Sequence, residues 1–178
     1  MLSLVIGGAR SGKSRFALSL GLSARRPVYL AAATAEDAEM AERIDRHRRE
    51  RPAHWTTVEE PLEIAAAIER HAGEHDFILL DCLTLWLSNF AWKHRDTSEQ
   101  EIHSAAVGEI ARAAAVSGQA HLVLVSNEIG CGLVPESPVG RSFRDLQGWV
   151  NQEAARLADW VYFVTAGIPV PIKRPEAL

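Results

Sequence analysis

The stretch GGARSGKS, residues 7–14, constrains this chain more than any other. It fits the pattern G-x-x-x-x-G-K-[ST] at Gly7, Gly12, Lys13 and Ser14. The apolar run LSLVI (2–6) comes directly before it and stops at glycines, which reads as a buried strand. Residues 13–24 follow as a helix, with Phe16, Leu20 and Ala24 along one side. Glycines let backbone N–H groups turn inward and surround phosphate oxygens. The helix that follows points its positive end at the same phosphates. Lys13 then carries a mobile charge to the β and γ groups, and Ser14 offers a hydroxyl to Mg²⁺. The expected nucleotide-binding residues here are Gly7, Gly8, Ala9, Arg10, Ser11, Gly12, Lys13 and Ser14.

The rest of the chain keeps the same rhythm. VYLAA (28–32) reads as a second strand, and residues 36–50 as a helix with Met40 and Ile44 on its buried side. Pro52 disfavours helix at Arg51 and ends that element. A helix over 61–72 starts at Pro61, a favoured first helical position. FILLD (77–81) is a third buried strand, followed by helices at 83–92 and 99–116 with the polar loop WKHRDTSEQ between them. HLVLVS (121–126) is a fourth strand, GCGLVPESPVG (130–140) a loop, and 141–158 a helix. VYFVT (161–165) and PVPIK (169–173) close the chain as strands, joined as a hairpin through Gly167. Strands alternating with helices imply an α/β fold, a mostly parallel sheet covered on both faces. A length of 178 residues with no dividing linker implies one domain, 1–178.

Composition excludes several classes. A net charge of −4 argues against general nucleic-acid binding, which wants a broad basic surface. The first apolar run is too short for a signal or a membrane span, so no membrane insertion is expected. Cys82 and Cys131, the only cysteines, lack metal-like spacing and point to a reducing cytoplasm.

Two further features bear on chemistry. Asp81, at the end of FILLD, is the candidate acid for the metal's shell, with Ser14; its alternative role is to cap the helix that starts near Leu83. Residues 43–51 hold five arginines in nine positions, with His47 among them. Arg43, His47 and Arg51 share one helical stripe by their spacing of four. The bland reading is a solvated basic face partnered by Glu39, Glu42, Asp45 and Glu50. Beside a phosphate cradle the same cluster reads differently. Neighbouring positive charge favours neutral imidazole, which is a nucleophile, and guanidinium groups hold triphosphates by bidentate contacts.

GGARSGKS, RIDRHRRERPAHWTTVEEP, LLDCLTLWLSN and LVSNEIGCGLVPESPVGRSFRDLQGWVNQEAARLAD, in that order, resemble one family. It is the bifunctional adenosylcobinamide kinase / adenosylcobinamide-phosphate guanylyltransferase of cobalamin biosynthesis. The resemblance implies a RecA-like P-loop NTPase fold. It implies phosphorylation of adenosylcobinamide by ATP or GTP with Mg²⁺, then GMP transfer from GTP through a guanylylated histidine. That histidine falls on His47, with Lys13 as the second catalytic residue. Nucleotide contacts fall on Gly7–Ser14, on Ala31, Ala32, Ala33 and Thr34, on Arg48, Arg49, Glu50 and Arg51, on Glu59 and on Asp81. The implied partner is a corrinoid, and the implied assembly a homo-oligomer, with a trimer among the options. A small-molecule kinase without a covalent step, and a nucleotide switch that transfers nothing, are the rivals; no N-K-x-D guanine signature supports the switch.

Other residues invite weaker readings. His71, Glu74 and His75 form H-x-x-E-H, which Gly73 interrupts; a solvated helix end is the better reading than zinc. Asn127 and Glu128 follow strand four, where open α/β sheets place ligand-binding groups. Arg141 and Arg144 either hold the substrate phosphate or pair with Glu136 and Asp145. The five tryptophans read as core or interface, and helix 83–92, apolar nearly all round, as buried or in a subunit contact.

Overall fold

The computed structural model describes residues 1–33 and 52–175. The expected helix 36–50, Thr34, and the whole His47 and Arg48–Arg51 cluster lie outside the described residues.

β1 (Leu2–Gly7), β2 (Pro27–Ala31) and β4 (Phe77–Asp81) are buried almost end to end, as strands covered on both faces must be. They join β3 (Thr56–Glu59), β5 (His121–Asn127), β6 (Trp160–Thr165) and β7 (Ile168–Lys173) in one seven-stranded sheet of order β3-β2-β4-β5-β1-β6-β7. All pairings are parallel except β6 with β7. The expected mostly parallel sheet is therefore present. β5 lies between β1, which feeds the glycine loop, and β4, which ends in Asp81.

Two cores flank the sheet. On one face α1 (Lys13–Leu20) brings Ala17 against Val5, Tyr29, Leu79, Val123 and Val125. On the other face lie α2 (Ile64–Ala72), α3 (Leu83–Lys93), α4 (Glu99–Val116) and α5 (Pro138–Leu157), which pack Ile68, Trp86, Ile110 and Val150 against Leu4, Leu30, Leu80 and Leu124. Helices thus cover both faces, as expected.

Local chemistry sets the boundaries, and several differ from expectation. α1 stops at Leu20 instead of Ala24, because Gly21 caps it where a Cβ would meet the Phe77 and Trp55 rings at 2.7 and 2.8 Å. α2 starts at Ile64 instead of Pro61. Glu60 Oε1 accepts from the N–H groups of Leu62 and Glu63 at 3.1 and 2.9 Å and holds that segment as a turn. α4 opens with a capping box between Ser98 and Glu101. α5 starts three residues before expectation, since Ser137 caps it and Pro138 takes its first position. β3 went unseen in the sequence: it is only four residues long, and three of them are exposed.

Among the tryptophans, Trp55 and Trp86 are core residues, but Trp92 and Trp149 are 71% and 44% exposed. α3 buries Leu83, Trp86 and Leu87 on one side and leaves Trp92 on the other.

Candidate functional site

The glycine loop bridges β1 and α1 at the carboxyl edge of the sheet, where open α/β sheets place ligands. Gly12 caps α1 in the left-handed region at φ 95°, and Arg10 also has positive φ, 54°. The Lys13 side chain folds back over the loop, its Nζ donating to the Gly8 carbonyl at 3.1 Å. Ser14 is the second residue of α1, so its hydroxyl lies at the helix's positive end. The Ser11 hydroxyl is buried and has no hydrogen-bond partner among the described residues. Gly7 has no room for a side chain: a Cβ there would stand 2.4 Å from the Val164 carbonyl oxygen.

Neighbouring strands bring further expected residues to this edge. Ala31, Glu59 and Asp81 are level with one another across β2, β3 and β4. Asp81 accepts from the Tyr29 hydroxyl at 3.0 Å, which fixes its carboxylate. Lys13 and Asp81 both act on the thiol of Cys82 beside them. Burial and then the Asp81 charge raise that thiol to about 11, while Lys13 pulls the other way. Ala32 is fully buried, its N–H on the Asp81 carbonyl at 3.4 Å and its carbonyl on Asn89 Nδ2 at 2.9 Å. The described part of the expected site, Gly7–Ser14, Ala31–Ala33, Glu59 and Asp81, thus converges on one edge. Thr34, His47, Arg48, Arg49, Glu50 and Arg51 lie outside the described residues. Ser14 hydroxyl and Asp81 carboxylate are hard oxygen donors of the kind Mg²⁺ takes, so the donor set fits that ion.

Sequence reading missed part of the surroundings. The turn of the β6–β7 hairpin, Ala166 and Gly167 at φ 50° and 80°, leans on the glycine loop, and Gly167 N–H donates to the Ser11 carbonyl at 2.8 Å. Glu128, singled out in the sequence together with Asn127, flanks the loop on the other side, its N–H donating to the Gly7 carbonyl at 3.0 Å. The only sequence signal for the turn was Gly167 itself.

The weaker candidates resolve differently. His71 and His75 stack edge to face at 5.1 Å, and His75 Nδ1 lies 3.1 Å from the His71 carbonyl. Burial, then the charges of His75 and Arg70, lower the His71 pKa. No cluster of metal-binding side chains occurs among the described residues. Arg141 donates to the carbonyls of Pro135 and Glu136 at 3.1 and 2.6 Å, and Arg144 donates to that of Gly130. Both arginines brace the 130–137 loop through its backbone instead of pairing with the Glu136 and Asp145 carboxylates. No described helix is long and apolar enough to cross a membrane.

Over residues 3–172 the chain matches the family model described as cobinamide kinase / cobinamide phosphate guanyltransferase. It is 42% identical over 177 residues to the bifunctional adenosylcobalamin biosynthesis protein CobP of Pseudomonas aeruginosa, covering 97% of this chain and 98% of that one. It is 41% identical to the bifunctional adenosylcobalamin biosynthesis protein CobU of Escherichia coli, covering 97% of this chain and 100% of the relative. Among solved structures it resembles a prototypical ATPase from the type III secretion system of pathogenic bacteria, with a TM-score of 0.57. That likeness, at 9% identity over 96% of this chain and 56% of the other, speaks for the P-loop NTPase fold alone. The length of the match and the identity to these relatives together place the chain in the cobinamide kinase / cobinamide phosphate guanyltransferase family.

Proposed function

We propose that this chain phosphorylates adenosylcobinamide with ATP or GTP and then, through a guanylylated His47, transfers GMP from GTP to the product, giving adenosyl-GDP-cobinamide. The observation that carries the reading is the convergence of the glycine loop, Lys13 and Asp81 on one sheet edge in a chain of this family. Both steps are assigned to a single domain over 1–178, acting in the cytoplasm on a corrinoid, within a homo-oligomer.

In the first step the substrate hydroxyl oxygen bonds to the γ-phosphorus. The bond from that phosphorus to the bridging oxygen breaks, and nucleoside diphosphate leaves with the electron pair. The loop N–H groups hold the phosphates, and Lys13 leaves the Gly8 carbonyl to meet the β and γ oxygens. Ser14 and Asp81 would hold Mg²⁺, which would supply further charge compensation. In the second step neutral His47 attacks the α-phosphorus of GTP, and pyrophosphate departs. Arg48, Arg49 and Arg51 steady the leaving group. A phosphate oxygen of cobinamide phosphate then displaces the imidazole, so one hard transfer becomes two easier ones and the kinetics are ping-pong.

The test separates the two steps by the position of a label in GTP. With cobinamide and Mg²⁺, γ-label is expected on the corrinoid, and α-label as an acid-labile adduct on protein. His47→Ala is expected to lose the adduct and keep the kinase, and Lys13→Ala to slow the kinase by about 10²-fold. Transfer of γ-label with no α-label ever on the protein would instead mark a kinase without a covalent step.

A further inference from the structure

The end of β5 is held more firmly than a strand end needs. Asn127 is level with Gly7 of the phosphate loop, and its strand runs between β1 and β4. Its backbone is pinned at both polar atoms: N–H donates to Thr84 Oγ1 at 3.0 Å, and the carbonyl accepts from Asn151 Nδ2 at 3.1 Å. Behind it sits a buried polar cluster, with Ser126 and Gln147 0% and Asn151 7% exposed. Ser126 Oγ lies 2.6 Å from Asn151 Oδ1, and Gln147 Nε2 donates to both at 3.0 Å. These three bonds tie Ser126, Gln147 and Asn151 into one geometry, while Gln147 Oε1 has no partner among the described residues.

Strand alternation decides what the cluster presents. Ser126 faces α5, where its partners are. Asn127 therefore faces the opposite side with Val125, the side that carries α1 and the phosphate loop. Asp81 is on that same side, level with Val125 across β4 and β5. The Asn127 side-chain amide makes no hydrogen bond among the described residues, although Thr84 and Asn151 hold the backbone beneath it.

We propose that Asn127 is a catalytic residue of the phosphate-transfer step, its side-chain N–H donating to an oxygen of the γ-phosphoryl group, and that Asn151 is its positioning residue. This rests on the proposed kinase function and deepens it. As the acceptor oxygen bonds to phosphorus and the bond to the bridging oxygen breaks, the amide stabilises charge on the phosphoryl oxygens. The hydroxyl proton passes to solvent, and nucleoside diphosphate departs. Asn151 acts through the Asn127 carbonyl and touches no substrate.

The experiment pairs kinetics with binding. Asn127→Ala is expected to lower kcat for cobinamide phosphorylation by about 10²-fold. It is also expected to weaken a nonhydrolysable triphosphate by about tenfold while leaving diphosphate affinity within about threefold of wild type. Asn151→Ala follows in kcat by about tenfold. Glu109→Ala breaks a buried bond to the Ala65 N–H on α2, remote from the site, and serves as the destabilised control. It is expected to lower Tm with kcat unchanged. Asn127→Ala with kcat and triphosphate affinity both within about threefold of wild type overturns the proposal. So does loss of kcat in all three variants in proportion to Tm. Binding is read without any acceptor, so a wild-type enzyme that fails to phosphorylate cobinamide sinks the kinase reading while the triphosphate–diphosphate comparison still decides the role of Asn127.

Discussion

Cys82 follows Asp81 in the chain, yet the two thiols of this protein lead separate chemical lives. Burial and the neighbouring carboxylate raise Cys82 to about 11, whereas Cys131 lies exposed in the loop that α5 braces. Thiolate, not thiol, is the reactive species. Alkylation of the native protein at neutral pH is expected to label Cys131 and spare Cys82, with peptide mapping as the readout; modification of Cys82 before unfolding would contradict the burial. His121 offers a second residue-scale test. Its ring lies 2.9 Å from Ser3 Oγ, and burial, then the N-terminal ammonium, lower its pKa to about 4, with Asp159 pulling upward. A base depressed in the fold takes up protons more readily once unfolded, so protonation favours unfolding. Its contribution is complete above about pH 6.5 and is lost as pH falls from about 6.5 towards about 4. His121→Gln is expected to flatten Tm against pH within that window. An unchanged slope would assign the dependence to other groups.

At the scale of elements, the phosphate loop was legible because its chemistry forces residue types onto four positions at fixed spacing, Gly7, Gly12, Lys13 and Ser14. The buried strands were legible for a similar reason, since burial on both faces demands unbroken apolar runs. What remained hidden depends on contacts between distant segments. Thr84 and Asn127 are 43 residues apart, and Asn127 and Asn151 are 24 apart. No local pattern marks such pairs. β3 escaped because an exposed edge strand carries no apolar run. Helix starts moved by about one turn where a single side chain, Glu60 or Ser137, captured backbone N–H groups. The β6–β7 hairpin gives an element-scale prediction. Gly167 sits at φ 80° and ties its N–H to the Ser11 carbonyl. Gly167→Ala forces a side chain into that conformation at a cost of about 1–2 kcal/mol. Calorimetry is expected to show a lower Tm together with weaker nucleotide binding, because the turn supports the loop. A lower Tm with unchanged affinity would detach the hairpin from the site.

Taken whole, the molecule places its sheet so that five strand ends serve one edge. Glu59, Ala31, Asp81, Asn127 and Gly7 end β3, β2, β4, β5 and β1 in spatial order. The family match extends over residues 3–172, a range that takes in the cradle and the arginine-rich 43–51 segment. One molecule is expected to carry two phosphorus chemistries: attack on the γ-phosphorus by the corrinoid hydroxyl, and attack on the α-phosphorus by His47. The most direct measurement is mass spectrometry of the protein after exposure to GTP and Mg²⁺, with and without cobinamide phosphate. A GMP adduct is expected on His47, and it disappears when cobinamide phosphate is added. An adduct on another residue, one that cobinamide phosphate cannot discharge, or no adduct at all would contradict it.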